Sequence, residues 1–214
     1  MDSVPTDQLG PCPLGSEQRM RFQRSSRPGR TVRSTGAIGG GGGGGGGLTT
    51  ASESFDQADS SVIGPDQTWV ARVGTTPSTS SNKFVGGDAD LATPMASENF
   101  HVEADCTHGS GRAGIRFRTN PDTEEGYVFY VQSSSFRHGW MNASGSITLF
   151  TTYGASSGGV QRLRVVVTDD GYTAHTNGAL RFNKTGLTRF LTQTGVGVLA
   201  TGTATVDNFQ VDVV

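Results

Sequence analysis

Two carboxylates, Glu103 and Asp105, stand two residues apart in "HVEADCTHG". On a strand, residues i and i+2 share a face, and retaining glycoside hydrolysis uses two carboxyl groups ~5–5.5 Å apart. A solvated strand face accounts for the same pair. Serines are abundant, but "GASSGG" lacks the G-x-S-x-G elbow and its strand–turn–helix setting. His101, His108, His138 and His175 show neither H-x-x-x-H nor H-E-x-x-H spacing and read as polar surface histidines. Sugar binding needs aromatic rings beside polar groups. "FRHGWMNASG" sets Trp140 near Arg137, His138 and Asn142, and Tyr153, Tyr127 and Tyr130 are further candidates. In a sandwich, most such alternating aromatics serve the core. Arginines recur at every third position, Arg21, Arg24, Arg27, Arg30 and Arg33. Three residues per turn is the polyproline II period, so an extended chain aligns them on one edge. Guanidinium groups pair with carboxylates and phosphates. Nucleic-acid binding calls for interleaved aromatics, and only Phe22 is present, so docking onto an acidic protein assembly is the better fit.

The elements that carry these residues follow from composition and texture. Charged residues make up 17% of the 214, below the usual ~25%, and Gly, Ser, Thr and Asn fill the difference. This favours an all-β protein rich in turns. Net charge is −2. Met1 to Ile38 holds six Arg against Asp2, Asp7 and Glu17, a net +3, which leaves −5 for the remainder. No global basicity points to nucleic acid. No stretch reaches the ~18 apolar residues of a membrane span. The N-terminus lacks the apolar core of a signal peptide, so the expectation is a protein made and kept soluble. Cys12 and Cys106 read as unrelated thiols rather than a disulfide framework.

Residues 1–38 read as an extended Pro/Arg-rich docking arm, irregular because proline removes donors and fixes φ. Residues 39–50 hold nine glycines, Gly39 to Gly47. They form a linker of at most ~30 Å, or, in a trimer or larger bundle, a packed polyglycine helix. From about Ala51 to Val214, short Val-, Phe-, Thr- and Tyr-rich runs alternate with polar turns. "NFHVEADC" puts Phe100, Val102, Ala104 and Cys106 on one face, and "GIRFRT" puts Ile115 and Phe117 inward and Arg116 and Arg118 outward. "TDDG" and "TNGA" carry tight-hairpin signals. Many short strands at regular spacing predict an antiparallel β-sandwich or jelly roll.

Four segments, in order, carry a resemblance: "SFDQADSSVIGPDQTW", "GRAGIRFR" with "EEGYVFYVQ", "QRLRVVVTDDGYTAHTNGALRF" and "ATVDNFQVDVV". Together they resemble the concanavalin A-like (laminin-G-like) jelly-roll superfamily. The opening segment, joined to a glycine-rich N-terminus, looks most like minor tail proteins of tailed phages infecting actinobacteria. The fold alone hosts lectins, glycanases and inert modules. Glycanases of this fold present Glu-x-Asp-x-x-Glu; here His108 takes the last position. Sugar-binding relatives carry a structural calcium between first and last strands, which the resemblance places at Asp56, Asp59 and Asp207; capping of turns is the alternative use of those side chains. The resemblance implies a non-enzymatic virion protein, docked to other virion proteins through residues 1–50, trimeric in the particle, synthesised in the host cytoplasm, and touching host cell-wall glycan through Trp140, His138, Arg137 and Tyr153. A capsid decoration fibre of the same layout, a carbohydrate-binding module, and a glycan hydrolase using Glu103 and Asp105 are the alternatives.

Overall fold

The computed structural model describes residues 46–57, 59–60, 63–64, 66–72, 75–154 and 158–214. The arginine series, the docking arm, Cys12 and Gly39 to Gly45 lie outside them. The described residues fall within one unit, Gly44–Val214.

Among the described residues, fifteen strands make two antiparallel sheets: β1 (Thr50–Glu53), β2 (Trp69–Ala71), β3 (Ser78–Ser80), β4 (Lys83–Val85), β5 (Gly87–Leu91), β6 (Phe100–Thr107), β7 (Arg112–Thr119), β8 (Gly126–Gln132), β9 (Ser135–Met141), β10 (Ile147–Gly154), β11 (Val160–Thr168), β12 (Gly171–Thr176), β13 (Ala179–Lys184), β14 (Gly195–Ala200) and β15 (Thr205–Val213). The first sheet runs β13-β12-β11-β6-β15-β4-β3, with β1 also paired to β15; the second runs β10-β9-β8-β7-β14-β5-β2. The all-β sandwich expected from the sequence is present, and no helix occurs among the described residues.

Period-2 patterning builds the core. On β6, Phe100, Val102, Ala104 and Cys106 are buried while His101, Glu103 and Asp105 face outward. The Cys106 thiol has no disulfide partner among the described residues, and burial raises its pKa. β11 alternates in the same way. The second sheet differs, because β7 and β8 are buried on both faces. Arg116 does point away from the core but is only 1% exposed, and Arg118 is fully buried. Arg118 occupies a bulge at φ +49° and donates to the carbonyls of Thr168 and Asp169 at 2.8 and 3.0 Å. These two arginines are therefore structural rather than solvated.

The "TNGA" hairpin is as predicted: Thr176 pairs with Ala179 across Asn177 and Gly178, both at positive φ. In "TDDG" the tight loop is instead Asp169–Asp170, with Gly171 already paired in β12. The opening motif of the sandwich is a packing unit. Phe55 lies 5.6 Å from Trp69 and 5.7 Å from Phe84, and Trp69 meets Phe209 of "DNF" edge-on at 5.2 Å. Each such ring contributes roughly 1.5–3 kcal/mol by burial. Below them, the buried Glu53 carboxylate accepts from the Phe55, Asp66 and Gln67 amides at 3.0, 3.1 and 3.0 Å and from the Trp69 indole at 3.3 Å.

Candidate functional site

The residues singled out by sequence separate into three places. Glu103 and Asp105 share the outer face of the first sheet, as their spacing requires. Arg162 on β11 clamps both, Nη2 to Glu103 Oε1 at 2.7 Å and Nη1 to Asp105 Oδ1 at 3.1 Å. Asn208 adds a bond to Asp105 at 2.9 Å. Burial lowers the pKa of the Arg162 guanidinium, but the hydrogen bonds and charges of the two acids outweigh it, so the group is held further into its charged form. The pair is thus a paired strand face.

Asp56, Asp59 and Asp207 do not gather into a metal-binding group, and no three His, Cys, Asp or Glu side chains do so among the described residues. Asp59 accepts from the Ser81 amide at 2.7 Å, a contact between segments 22 residues apart, and Asp207 accepts from that of Asn208 at 2.8 Å, a local cap. Glu53, with its four donors, is the carboxylate that ties Phe55, Asp66, Gln67 and Trp69 together.

Trp140, His138, Arg137 and Tyr153 are divided between the two faces of the second sheet. Arg137 is outward and donates to Gln132 at 3.0 Å. His138 is inward and 3% exposed, which corrects its reading as a surface histidine. It stacks on Phe182 at 3.9 Å and shares a 2.7 Å hydrogen bond between Nδ1 and the Tyr172 hydroxyl. Burial, reinforced by Lys184, depresses its pKa to about 4. Trp140 packs partly buried beneath the Arg189 guanidinium, 4.6 Å from its ring. Tyr153 is exposed on β10, where the Arg181 guanidinium covers it at 5.1 Å. Asn142 is committed to its own turn, accepting from the Ser144 and Ser146 amides at 3.1 and 3.0 Å. Tyr127 and Tyr130 are buried.

The densest polar constellation was not singled out by sequence and lies on the outer face of the second sheet. Asp88 and Asp90 alternate along β5, and Arg116 stands on β7, two strands away. β14 runs between them, and Gly197 pairs with both Asp90 and Arg116. A Cβ at Gly197 would strike the Asp90 carboxylate and the Ala89 carbonyl, so only glycine lets Arg116 reach across β14. Arg116 lies 3.5 Å from Asp88 Oδ2 through Nη1 and 3.5 Å from Asp90 Oδ1 through Nε. Its Nη2 donates to the Glu124 carbonyl at 3.0 Å. Arg72 contacts Asp90 at 2.5 Å and Glu124 at 3.3 Å.

Burial raises the Asp88 pKa against the pull of Arg116, and burial with the neighbouring Arg116 charge lowers that of Arg72. Arg116 Nε and Asp90 Oδ1 make no hydrogen bond. Above this network opens a cavity of about 230 Å³, lined by Arg72, Asp88, Arg116, Glu124, Met141 and the 142–145 turn. The arrangement offers guanidinium donors and carboxylate acceptors side by side, with the Met141 side chain on one wall. The signal for it was present in the alternating acids of "GDADL" and the lone glycine between apolar residues of "GVGVLA".

The sequence matches no protein-family model and no curated protein. Solved structures with which it shares a likeness include carbohydrate-binding module CBM66 from Bacillus subtilis (16% identity, 69% of this chain and 90% of that one, TM-score 0.45). Another is the Caenorhabditis elegans galectin LEC-6 (15% identity, 54% and 84%, TM-score 0.42). A third is an alginate lyase Aly36B mutant in complex with alginate tetrasaccharide (10% identity, 78% and 97%, TM-score 0.48). With TM-scores below 0.5, none of these likenesses carries an inference about what this chain binds.

Proposed function

We propose that the chain is a non-enzymatic structural protein of a tailed-phage virion, a minor tail or tail-tip component. Its first 50 residues dock to other virion proteins, and in the particle it is trimeric. The β-sandwich faces outward and holds host-surface glycan in the cavity under the 142–145 turn. The carrying observation is that cavity: Arg72, Asp88, Arg116 and Glu124 converge there, with donors and acceptors adjacent. A sugar's vicinal hydroxyls both donate and accept, so they suit a mixed set better than a bare anion or cation would. The non-enzymatic reading is supported by the commitment of Glu103 and Asp105 to Arg162. The virion reading is supported by the resemblance of the opening segment.

Two experiments test the two parts. Immunogold labelling of purified particles is expected to mark the tail, and absence of the protein from virions overturns the placement. On a glycan array, the full chain is expected to bind and the Ala143→Trp variant, which roofs the cavity from its exposed turn, to lose at least about tenfold in affinity. Binding unchanged by Ala143→Trp removes the cavity from the reading, and no binding by the wild type removes the glycan.

A further inference from the structure

The charges of the sandwich are segregated. Between Gly126 and Val206 the sequence holds Arg137, Arg162, Arg164, Arg181, Lys184 and Arg189 against Asp169 and Asp170, six against two, a net +4. Over residues 46–125 and 207–214 it holds Arg72, Lys83, Arg112, Arg116 and Arg118 against fourteen acids, a net −9. Strand order turns this sequence asymmetry into a spatial one. β8, β9 and β10 form one lateral half of the second sheet, and β11, β12 and β13 form the same half of the first, with β10 and β13 as the two free edges. Side chains bridge those edges: Tyr153 meets Phe182 at 6.3 Å, and Lys184 lies over Phe150 at 5.2 Å.

Along this seam the cations lie on aromatic faces. The Arg181 guanidinium sits between Phe136 and Tyr153, 5.4 and 5.1 Å from the two rings, and Arg189 sits over Trp140. Ring faces orient a cation but do not neutralise it. Arg181, Lys184 and Arg189 make no salt bridge among the described residues, and Arg181 Nε is buried without a hydrogen-bond partner. All of β10 except Ile147 is exposed, including Leu149, Phe150 and Tyr153. Neither β9, β10 nor β13 carries an acidic residue. From Phe136 to Trp140 the row is about 13 Å long at strand rise, with a cation near each end and one between.

We propose that this seam is a docking surface for an anionic glycan chain, a polymer bearing repeated carboxylates or phosphates. The proposal goes beyond the cavity reading and stands without it. Guanidinium and ammonium donors already fixed over rings take up oxyanions with little further ordering, and the exposed Tyr153 and Phe150 rings offer faces to the sugar units between them. A second copy of the chain is a poorer occupant. The register shift between Leu149 and Thr151 puts a bulge in the β10 edge, which blunts strand addition. Edge-to-edge pairing of two copies would also bring like charges together.

The test uses the full chain and three probes by isothermal titration: alginate as polyuronate, poly(glycerol phosphate), and neutral dextran. Binding to at least one of the two anionic polymers and not to dextran is expected, falling as salt rises from about 50 to about 300 mM. Lys184→Glu, at a half-buried edge position, is expected to weaken it at least about tenfold with unchanged melting temperature, as is the Arg181→Ala/Lys184→Ala double variant. Equal binding to dextran, equal or tighter binding to a single-stranded DNA of matched charge, or no effect of Lys184→Glu overturns the proposal. So does a dimer, seen by light scattering, that Lys184→Glu dissolves. The cavity stands or falls on Ala143→Trp and the seam on Lys184→Glu, so the two readings fail separately.

Discussion

At the scale of single residues, two buried groups carry more of the structure than their surroundings suggest. Glu53 is 1% exposed and accepts four hydrogen bonds that hold Phe55, Asp66, Gln67 and the Trp69 ring. Burial still raises its pKa, because desolvation outweighs those donors. Glu53→Ala strands the buried amides and is expected to cost at least about 3 kcal/mol, a fall in Tm of roughly 6–12 °C. Glu53→Gln keeps one acceptor oxygen and is expected to cost less. Equal melting of the alanine variant and the wild type would show that these four donors do not depend on the carboxylate. His138 yields a pH effect of defined sign. Unfolded, its imidazole protonates near pH 6.5; folded, only at about 4. Between those values the unfolded chain binds more protons, so stability is lost as pH falls from about 6.5 to about 4, by up to ~1.4 kcal/mol per pH unit. His138→Gln cannot titrate, and the carboxylates are common to both proteins. Urea denaturation across this window is expected to show a shallower loss in the variant; parallel curves would refute the assignment to His138.

At the scale of elements, the legible and the illegible strands differ for a physical reason. β6 and β11 were legible because one face meets the core and the other meets water, so the side-chain period of 2 shows as polarity. β7 was legible as a strand with Arg116 and Arg118 expected outward, but not as one buried on both faces. It lies at the centre of the second sheet, and its outer face is closed by Arg72, Thr75 and the 142–145 turn, which only the fold brings over it. The three-residue strands β2, β3 and β4 are too short for any period to show. The candidate site was illegible for the same non-local reason: Asp90, Gly197 and Arg116 are neighbours across three strands and far apart in sequence. Gly197→Val inserts a branched side chain where Arg116 crosses β14. It is expected to part Arg116 from Asp90 and destabilise by about 3–5 kcal/mol, the usual cost of breaking a buried charge pair. A variant with wild-type Tm would show that the glycine is not what lets the pair meet.

At the scale of the whole molecule, the sandwich begins before the point at which its sequence texture changes. Texture placed the start at about Ala51, because the glycine run conceals whatever structure it enters. Leu48 already bridges Met95, donating to the Pro94 carbonyl at 2.8 Å and accepting from the Ala96 amide at 2.7 Å. The Thr49 carbonyl accepts from Val213 at 2.9 Å, and Thr50 pairs with Asp212 at the head of β1. Gly47, last of the run, passes so close to Met95 that an added Cβ would lie 2.5 Å from its carbonyl carbon. The end of the run is therefore fitted to the sandwich. The consequence is measurable by comparing a chain that starts at Gly46 with one that starts at Ala51. The shorter chain loses at least three backbone hydrogen bonds, two from Leu48 to Pro94 and Ala96 and one from Thr49 to Val213 on the last strand, at about 1 kcal/mol each. For a domain of this size that is roughly 6–12 °C in Tm. Hydrogen exchange is expected to localise the loss to the Ala96 and Val213 amides, whose acceptors, Leu48 and Thr49, are the residues removed. Identical melting and exchange in the two chains would return the boundary to Ala51 and leave Leu48 in the linker.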